Sequence, residues 1–411
     1  MDADQPGRAR IEAITASSRT LASVLESDES FRDVLYSADP LAADRHLDPI
    51  RAAFARGGAP ELRREKRRRL LAIAARDLTG ELSLEAATAA LADLADACLQ
   101  VALEDTGAQD NVAVIGMGKL GGRELNYYSD IDVMFVAGDP GAATASAERV
   151  LRTLAEFSPD GQVYPVDANL RPEGRSGALV RSLDGYLEYY RRWAKPWEHQ
   201  ALIKARSCAG AGDLGDRFVE ATRAFVFPND ISSERVASIR RMKQRVEEHA
   251  HRSSRRGSDD GGNVKLGPGG IRDIEFSVQL LQLVHGAADP SVRSPTTLEA
   301  IVALAEGGYL AEEDGAGLSV AYRWLRAVEH RLQLWQERRT HQLPGDETGR
   351  ARVARAMGFK DSPVASASTR FDDVHSSVLA DVRNRLTSLL QADDRVAGRG
   401  FRPPTVAGGP A

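Results

Sequence analysis

The segment Asn111–Gly138, NVAVIGMGKLGGRELNYYSDIDVMFVAG, constrains the fold of this 411-residue chain more than any other stretch. Its glycines Gly116, Gly118 and Gly121 directly follow a short apolar run, which is the formal pattern of a dinucleotide-binding loop. Such a loop requires a full helix after the glycines and an acidic residue about 20 residues further on, at the end of the next strand. Here Asp130 follows the last glycine too closely for that helix, and it precedes the apolar run VMFV instead of following it. The segment is therefore predicted not to bind NAD or FAD.

This segment lies in the one mixed α/β section of the sequence. The short runs NVAVIGM, IDVMFVA and GQVYPVDANL are typical of β-strands, and SAERVLRTLAEFS between them is typical of a helix. On both sides apolar residues recur at helical spacing, as in the helix predicted after its N-cap Ser83. We predict an N-terminal helical region (1–106), a mixed α/β domain (107–215), a helical bundle (216–392) and an unstructured tail (393–411).

Composition and charge exclude several classes of function. The net charge of -5 provides no global positive field for nucleic acid. No apolar run approaches the roughly 20 residues that a membrane helix requires. The two cysteines, Cys98 and Cys208, form no metal-binding spacing, and a reduced compartment suits them. We expect a cytoplasmic protein that binds neither nucleic acid nor a membrane.

A basic run, Arg63 to Arg69, lies in the predicted helix LRREKRRRLLAIAARDL. A nucleic-acid patch is one interpretation of this run. Interspersed carboxylates dilute its charge, so the pattern favours a solvated helix face.

Two carboxylates, Asp130 and Asp132, open the apolar strand after the glycines. The arrangement, with Gly-Gly at 121 and 122 before it, is similar to the build of polymerase β-type nucleotidyltransferases. Alternate residues of a strand share a face, so the two side chains project side by side and can hold Mg²⁺ through oxygen ligands. Asp167, in VYPVDANLRP, is the candidate third carboxylate from a neighbouring strand, and three carboxylates suit two metal ions at a transferring phosphoryl group. By spacing alone, an Asx turn at the entry of an ordinary strand explains the pair equally well. For Asp167 taken alone, a turn carboxylate before Asn169 is the favoured interpretation.

Several nearby residues are candidates for nucleotide or phosphate binding. The pair Gly121 and Gly122 allows backbone N–H groups to approach phosphates closely. Lys119 and Arg123 are placed to neutralise phosphate charge. Arg171 follows Asp167 closely and has two interpretations, a phosphate contact or a salt bridge to a neighbouring carboxylate.

Three further cations have weaker patterns. Lys204 and Arg206 lie in a helix-like segment, where they bind phosphate or pair with Glu198. Lys265 precedes a Gly-Pro-Gly-Gly turn into a helix, whose N-terminus can hold an anion. The alternative for that turn is a purely structural role beside a buried Arg–Glu network.

Four motifs together resemble the glutamine synthetase adenylyltransferase/adenylyl-removing enzyme family. They are GMGKLGGRELNYYSDIDVMFV, VDANLRPEGRSGALV, WAKPWEHQALIKARS and KLGPGGIRDIEFSVQLLQLVHG, in the family's order. Members of that family join two nucleotidyltransferase halves, an N-terminal half that removes AMP from a tyrosine of glutamine synthetase and a C-terminal half that adds AMP from ATP. The sequences GRELNYYSDID and KLGPGGIRDIEF resemble those of the adenylyl-removing half. No second block with Gly-Gly and Asp-x-Asp follows in this chain.

The resemblance implies an α+β fold with a polymerase β-type catalytic domain at 107–215. It also implies that inorganic phosphate attacks AMP–tyrosine and yields ADP. Asp130, Asp132 and Asp167 would then ligate Mg²⁺, and Ser129 would shape the phosphate-facing turn with the two glycines.

Three other functions remain open. The first is an ATP-dependent adenylyltransferase, in which the same kind of site moves AMP in the opposite direction, from ATP to a protein tyrosine. A non-catalytic half would instead bind glutamine synthetase or a PII-type signalling protein through its helices. A nucleotidyltransferase acting on a small molecule is the last alternative, against which the long helical region speaks.

Overall fold

The computed structural model describes residues 5–37, 46–158, 161–228, 262–336 and 338–397, with side chains described as far as residue 389. It confirms the predicted α+β class, because a small mixed sheet is flanked on both sides of the sequence by helices, as expected for a polymerase β-type fold. Most of the predicted tail lies outside the described residues, but its beginning does not. The last described helix continues to Ala397, four residues beyond the predicted start of the tail at 393.

The N-terminal region is helical. Its longest helix begins where the sequence predicted, because the Ser83 hydroxyl accepts a hydrogen bond from the backbone N–H of Ala86. In the described part of the chain it alone is long and apolar enough to cross a membrane, and 78% of its apolar window is buried inside the protein. The helices are α1 (Gln5–Ser17), α2 (Arg19–Ser27), α3 (Asp33–Tyr36), α4 (Leu47–Gly57), α5 (Ala59–Leu78) and α6 (Leu84–Glu104).

The sheet has five strands, in the order β3-β2-β1-β5, with β4 also paired to β2. β2 runs antiparallel to β1 and parallel to β3 and β4, and β5 runs antiparallel to β1. The sheet is therefore mixed, and β2 is the strand on which most of the others meet. The strands are β1 (Val112–Met117), β2 (Ile131–Ala137), β3 (Val166–Asp167), β4 (Val180–Arg181) and β5 (Arg206–Gly210).

Helices cover both faces of this sheet and form the C-terminal part of the molecule. Around the sheet lie α7 (Gly118–Gly121), α8 (Pro140–Ala155), α9 (Leu183–Arg192), α10 (Pro196–Ala201) and α11 (Gly212–Val226). The C-terminal helices are α12 (Ile271–His285), α13 (Thr297–Glu306), α14 (Glu312–Gln336), α15 (Glu347–Ala356) and α16 (Ala367–Ala397).

The period of the strands explains how the sheet joins the helices. Successive side chains of β1 point to opposite faces. Val112 and Val114 pack into the same core as α5 and α6, whereas Ala113 and Ile115 pack into a second core with α9 and α11. A third core lies among the C-terminal helices. The N-terminal helices and one face of the sheet therefore form a single hydrophobic unit.

Two sequence predictions about local structure were wrong. Lys204 and Arg206 are not in a helix, because Leu202–Lys204 is a short 3-10 turn and Arg206 begins strand β5. Pairing with β1 overrides the local helical pattern there. The run GQVYPVDANL forms only a two-residue strand, since Pro165 has no N–H to donate and Asp167 begins a turn.

The basic run of α5 is not a solvated face throughout. Arg63 is only 7% exposed and Lys66 is partly buried, whereas Arg64 and Arg68 point outward and approach carboxylates of the preceding segment. The helix presents one side to solvent and the other to the protein, so its cations divide between two environments.

Candidate active site

The three predicted carboxylates come together at the start of β2. Asp132 of β2 and Asp167 of β3 are register partners on parallel strands, so their side chains lie on the same face of the sheet. Asp130 precedes β2 by one residue. The Asp167 side chain also accepts a hydrogen bond from the backbone N–H of Asn169 at 2.7 Å, which is the Asx turn of the alternative interpretation. Asp167 therefore forms this Asx turn and also lies beside Asp132.

The carboxylates repel one another. Burial, together with the charges of Asp130 and Asp167, raises the pKa of Asp132 to about 7. The guanidinium of Arg339 lies on the carboxylate of Asp130 in a direct ion pair. Part of the negative charge is thus compensated by a protein cation, and part is relieved only by protonation.

The donor set suits a hard cation. Carboxylate oxygens are the ligands that Mg²⁺ prefers, and a cation between Asp132 and Asp167 would relieve their repulsion. Within the described ranges, however, no three His, Cys, Asp or Glu side chains are grouped closely enough to form a finished metal site. Asp132 and Asp167 would hold the ion, and Asp130 would join them only when Arg339 leaves it.

A cavity of about 200 Å³ lies beside these carboxylates. Gly118 forms part of its wall with a φ of +53°, and a Cβ atom at this position would lie 2.6 Å from Oδ2 of Asp132. Only glycine allows the backbone this close to the carboxylate in that conformation. Ser129 also lines the cavity, and its hydroxyl donates to the backbone oxygen of Asp130 at 2.8 Å.

Lys119 lines the same cavity and is held by Glu329 of α14. Its Nζ lies 3.2 Å from Oε1 of Glu329, whose side chain is fully buried. Burial lowers the pKa of Lys119 to about 8 against the opposing effect of Glu329. Burial also disfavours the charge of Glu329, but Lys119, His341 and Arg326 outweigh it and hold the pKa of Glu329 well below its usual range.

The C-terminal region contributes residues that the sequence did not identify as one site. Lys265, Gln333, Arg339 and His341 line the cavity although they lie far along the chain from Asp130. Gln333 accepts a hydrogen bond from the backbone N–H of Tyr128 at 3.0 Å. The Gly-Pro-Gly-Gly motif after Lys265 was a signal for that residue, whereas no local pattern marks the other three.

Four predicted phosphate-binding residues lie elsewhere. Gly121 and Gly122 pack against backbone, because a Cβ atom would lie 1.7 Å from the Lys204 carbonyl oxygen or 2.9 Å from the Pro295 carbonyl oxygen. The absence of a side chain at these two positions therefore allows the close packing of α7. The other two residues of this group are the arginines Arg123 and Arg171.

Both arginines have structural partners. Arg123 forms an ion pair with Asp93 of α6 at 2.7 Å. The guanidinium of Arg171 donates to the backbone oxygens of Ala168 and Gly177, at 2.7 and 3.1 Å, and so holds the loop after β3. Neither side chain lines the cavity.

A buried polar network fixes the C-terminal helices to the site. Glu124 forms an ion pair with Lys204 and accepts hydrogen bonds from the Thr297 backbone N–H at 2.9 Å and the Tyr322 hydroxyl at 3.1 Å. Arg326 donates to the backbone oxygen of Glu124 at 2.7 Å. Burial works against the charged carboxylate, but the charges of Lys204 and Arg326 outweigh it and lower the pKa of Glu124. This network is not the Arg–Glu network expected at the Lys265 motif, because Arg272 of that motif is exposed and lies over the ring of Phe276.

Arg206 and the N-terminal end of helix α12 also have defined partners. Arg206 pairs with Asp96 of α6 at 2.7 Å and not with Glu198. The N-terminal turn of α12 is closed by Asp273, which accepts from the backbone N–H of Gly269 at 2.8 Å. The structure thus assigns a packing role to Arg206 and a side-chain partner to that helix end.

Comparison with known proteins gives consistent matches. Residues 9–221 match the family model of glutamate-ammonia ligase adenylyltransferase, and residues 240–390 match that of GlnD PII-uridylyltransferase. Relatives named bifunctional glutamine synthetase adenylyltransferase/adenylyl-removing enzyme are 42% identical in Streptomyces coelicolor, 41% in Mycolicibacterium smegmatis and 44% in Mycobacterium leprae. These alignments cover 93%, 85% and 73% of this chain and 40%, 37% and 31% of the respective relatives. The chain therefore spans about 40% of the length of the curated relatives that it matches.

Proposed function

The chain belongs to the glutamate-ammonia ligase adenylyltransferase family, and on that premise we propose that it removes AMP from an adenylylated tyrosine of glutamine synthetase by phosphorolysis. The names of the relatives support glutamine synthetase as the protein substrate. The observation that carries the proposal is the pairing of Asp132 with Asp167 beside a cavity that Lys119 and Lys265 also line. Carboxylates for a metal ion and cations for a phosphate thus meet at one point.

The chemistry requires binding and charge stabilisation more than proton abstraction. An oxygen of inorganic phosphate, which is already ionised near neutral pH, attacks the α-phosphorus of AMP–tyrosine. The bond from that phosphorus to the tyrosine oxygen breaks, and its electron pair leaves with the phenolate, which takes up a proton. ADP and tyrosine are the products. A phenol with a reference pKa of about 10 is an adequate leaving group, so positioning supplies most of the catalysis.

The residues divide this work between them. Lys119, Lys265 and His341 provide donors for phosphate oxygens in the small cavity. Asp132 and Asp167 would hold Mg²⁺, which would neutralise charge on the transferring phosphoryl group, and Asp130 would join them if its pair with Arg339 is released. Arg339 lines the small cavity and adds a cation there.

The direction of transfer is the finer part of this proposal. One kind of site supports both removal of AMP by phosphate and addition of AMP from ATP with release of pyrophosphate, because both reactions displace a group in line at the α-phosphorus and need the same charge stabilisation. The sequences GRELNYYSDID and KLGPGGIRDIEF favour the removal of AMP over its ATP-dependent addition. We place the reaction in the cytoplasm, which suits the unpaired Cys98 and Cys208.

A non-catalytic role is the second candidate. The match of residues 240–390 to a PII-uridylyltransferase model favours a PII-type protein as a partner of the helical C-terminal region. The juxtaposed carboxylates speak against a purely binding role, since docking does not require three carboxylates in mutual repulsion.

Two parallel reactions test the proposal. AMP-modified glutamine synthetase is incubated with the chain, Mg²⁺ and phosphate, and unmodified glutamine synthetase with the chain, Mg²⁺ and ATP. The intact mass of the synthetase subunit is followed in both. We expect loss of AMP in the first reaction, no gain in the second, and no change when Asp167→Asn replaces the parent. A gain of AMP in the second reaction with no loss in the first would show that the chain adds AMP from ATP. No mass change in either reaction, together with tight binding of PII, would support the docking role.

A further inference from the structure

A second and larger cavity, of about 500 Å³, opens beside the carboxylates on the side of the N-terminal helices. We call it the basic groove, defined by Arg63, Lys66 and Arg67 of α5, Tyr164, and Arg338 and Arg339 after α14. Three cations of the basic run therefore lie in this groove, and the reaction described above uses none of them.

Two cations of the groove lack an acidic partner among the described residues. Arg63 is 7% exposed, its Nε atom is buried without a hydrogen-bond partner, and its Nη2 atom donates only weakly to the Glu156 carbonyl oxygen, at 3.4 Å. Lys66 lies with its Nζ atom 4.5 Å from the ring centroid of Tyr164. Burial lowers the pKa of Lys66 to about 8.

Such cations are costly without a counter-charge. A buried charge is tolerated when it is paired, and an aromatic ring compensates it only in part. The other ion pairs of α5 show the contrast, since Arg69 is matched by Glu65 at 3.0 Å. The missing counter-charge of Arg63 and Lys66 therefore points to an anionic ligand in the groove.

The position of the groove suggests which ligand this is. Tyr128, Ser129, Asp130 and Arg339 line both the groove and the small cavity, so the two spaces meet at Asp130. In phosphoryl transfer the attacking and leaving oxygens are roughly in line, so the two groups approach from opposite sides. If phosphate occupies the small cavity, the leaving tyrosine lies on the side of the groove.

Size and access agree with a polypeptide ligand. The groove has more than twice the volume of the small cavity. Phe157 at its edge is 79% exposed and offers an aromatic surface to an incoming chain. A peptide segment with a tyrosine and neighbouring carboxylates would satisfy the shape, the aromatic edge and the unpaired cations together.

We propose that the basic groove binds an acidic protein segment that presents the tyrosine to the carboxylate centre, with carboxylates of the segment pairing with Arg63 and Lys66. The assignment of the leaving-group side rests on the proposed function. The binding of an acidic peptide does not, because it requires neither Mg²⁺ nor turnover.

Fluorescence anisotropy tests the proposal with two labelled peptides, in EDTA and without phosphate. One peptide has a central tyrosine flanked by glutamates, and its match has glutamines in their place. We expect the glutamate peptide to bind at least about tenfold more tightly than the glutamine peptide, because one hydrogen-bonded charge pair contributes about this much affinity. Arg63→Gln and Lys66→Gln should each remove most of that preference. Arg338→Gln, at an exposed position of the groove after α14, should also reduce that preference, and because the site is exposed the change should not disturb the core.

Arg68→Gln is the matched control, since it removes the same charge from the same helix at a residue outside the groove. It should leave peptide binding within about twofold of the parent. Equal binding of the two peptides, or an equal loss with Arg68→Gln, would overturn the proposal. So would a weakening of ADP binding by Arg63→Gln with peptide binding unchanged, since the groove would then hold the nucleotide. If Lys66→Gln lowers the melting temperature strongly, Arg63→Gln and Arg338→Gln decide the question.

These outcomes separate the groove from the reaction. If the chain binds the glutamate peptide but never removes AMP, the proposal for the groove stands and the proposed function is rejected. If the chain removes AMP but binds both peptides equally, only the proposal for the groove is rejected.

Discussion

Asp132 and Asp167 face each other across two parallel strands, and neither has a basic side chain as a direct partner among the described residues. Burial and the neighbouring carboxylates raise the pKa of Asp132 to about 7 as a result. The site is thus assembled with an unbalanced negative charge, which is a cost to the fold and a requirement of the proposed chemistry.

This cost predicts a pH-dependent gain of stability in Asp132→Asn. The folded state holds the Asp132 proton up to about pH 7, whereas the unfolded state loses it near pH 4, so the parent loses stability as the pH rises between these values. The variant has no such loss. In EDTA we expect its free energy of unfolding to exceed that of the parent by about 1–3 kcal/mol near pH 8 and by about nothing near pH 4. Urea denaturation measures both, and exposed Asp110→Asn is the control. A difference that does not change with pH would contradict this account of Asp132.

Gly118→Ala should disable the site more than it destabilises the fold. Gly118 and Gly80 both have positive φ, +53° and +75°, so alanine strains the backbone at either position. Only at Gly118 does the new Cβ atom meet a neighbour, Oδ2 of Asp132 at 2.6 Å. We expect both variants to lose about 1 kcal/mol of stability, and only Gly118→Ala to lose at least about 100-fold in kcat. Equal activities of the two variants would show that the position of Asp132 is unimportant.

Arg339 competes with metal for Asp130, so its removal should tighten metal binding. Arg339→Gln takes away the cation that lies on this carboxylate. In the absence of substrates we expect the Kd for Mn²⁺, measured by electron paramagnetic resonance, to fall by about three- to tenfold. Arg338→Gln changes the charge equally at the neighbouring position and should have a smaller effect. Weaker Mn²⁺ binding by Arg339→Gln would show that Asp130 is not a metal ligand.

Glu124 should be the main polar anchor of the C-terminal helices. Glu124→Gln leaves the buried Lys204 without its carboxylate partner, and breaking a buried pair costs about 3–5 kcal/mol. Glu85→Gln is the matched control, because Glu85 pairs with Arg323 of the same helix α14 at 2.6 Å but on the surface. That change should cost less than about 1 kcal/mol. Urea denaturation distinguishes the two, and similar small losses would mean that the apolar contacts alone hold the helices.

The elements that the sequence predicted well are those with a clear local period. Helix α6 has an apolar pattern and a capping serine, and strands β1 and β2 are short apolar runs that the structure reproduces. Strand β5 has a mixed sequence, RSCAG, and is a strand only because it pairs with β1. Local propensity cannot reveal a pairing of this kind.

The residues of the candidate site likewise fall into those that a local pattern predicted and those that only the tertiary structure brings there. The period of a strand brings Asp130 and Asp132 together, and an apolar neighbouring run indicated Asp167, whose proximity the register provides. Arg339 and His341 reach the cavity because α14 packs against the sheet region, and no spacing in the sequence carries that information. The glycine pair at 121 and 122 was informative about the fold class, although its atoms pack against backbone and Gly118 approaches the carboxylate instead. The catalytic roles of all these residues remain predictions.

The transfer of labelled phosphate tests the central claim most directly. AMP-modified glutamine synthetase, Mg²⁺ and radiolabelled phosphate are incubated with the parent chain and with Asp132→Asn, and the nucleotides are separated. The account predicts that the label enters ADP with the parent and stays in phosphate with the variant. Label in ADP from both proteins, or release of free AMP by the parent with all of the label still in phosphate, would contradict phosphorolysis at this carboxylate centre.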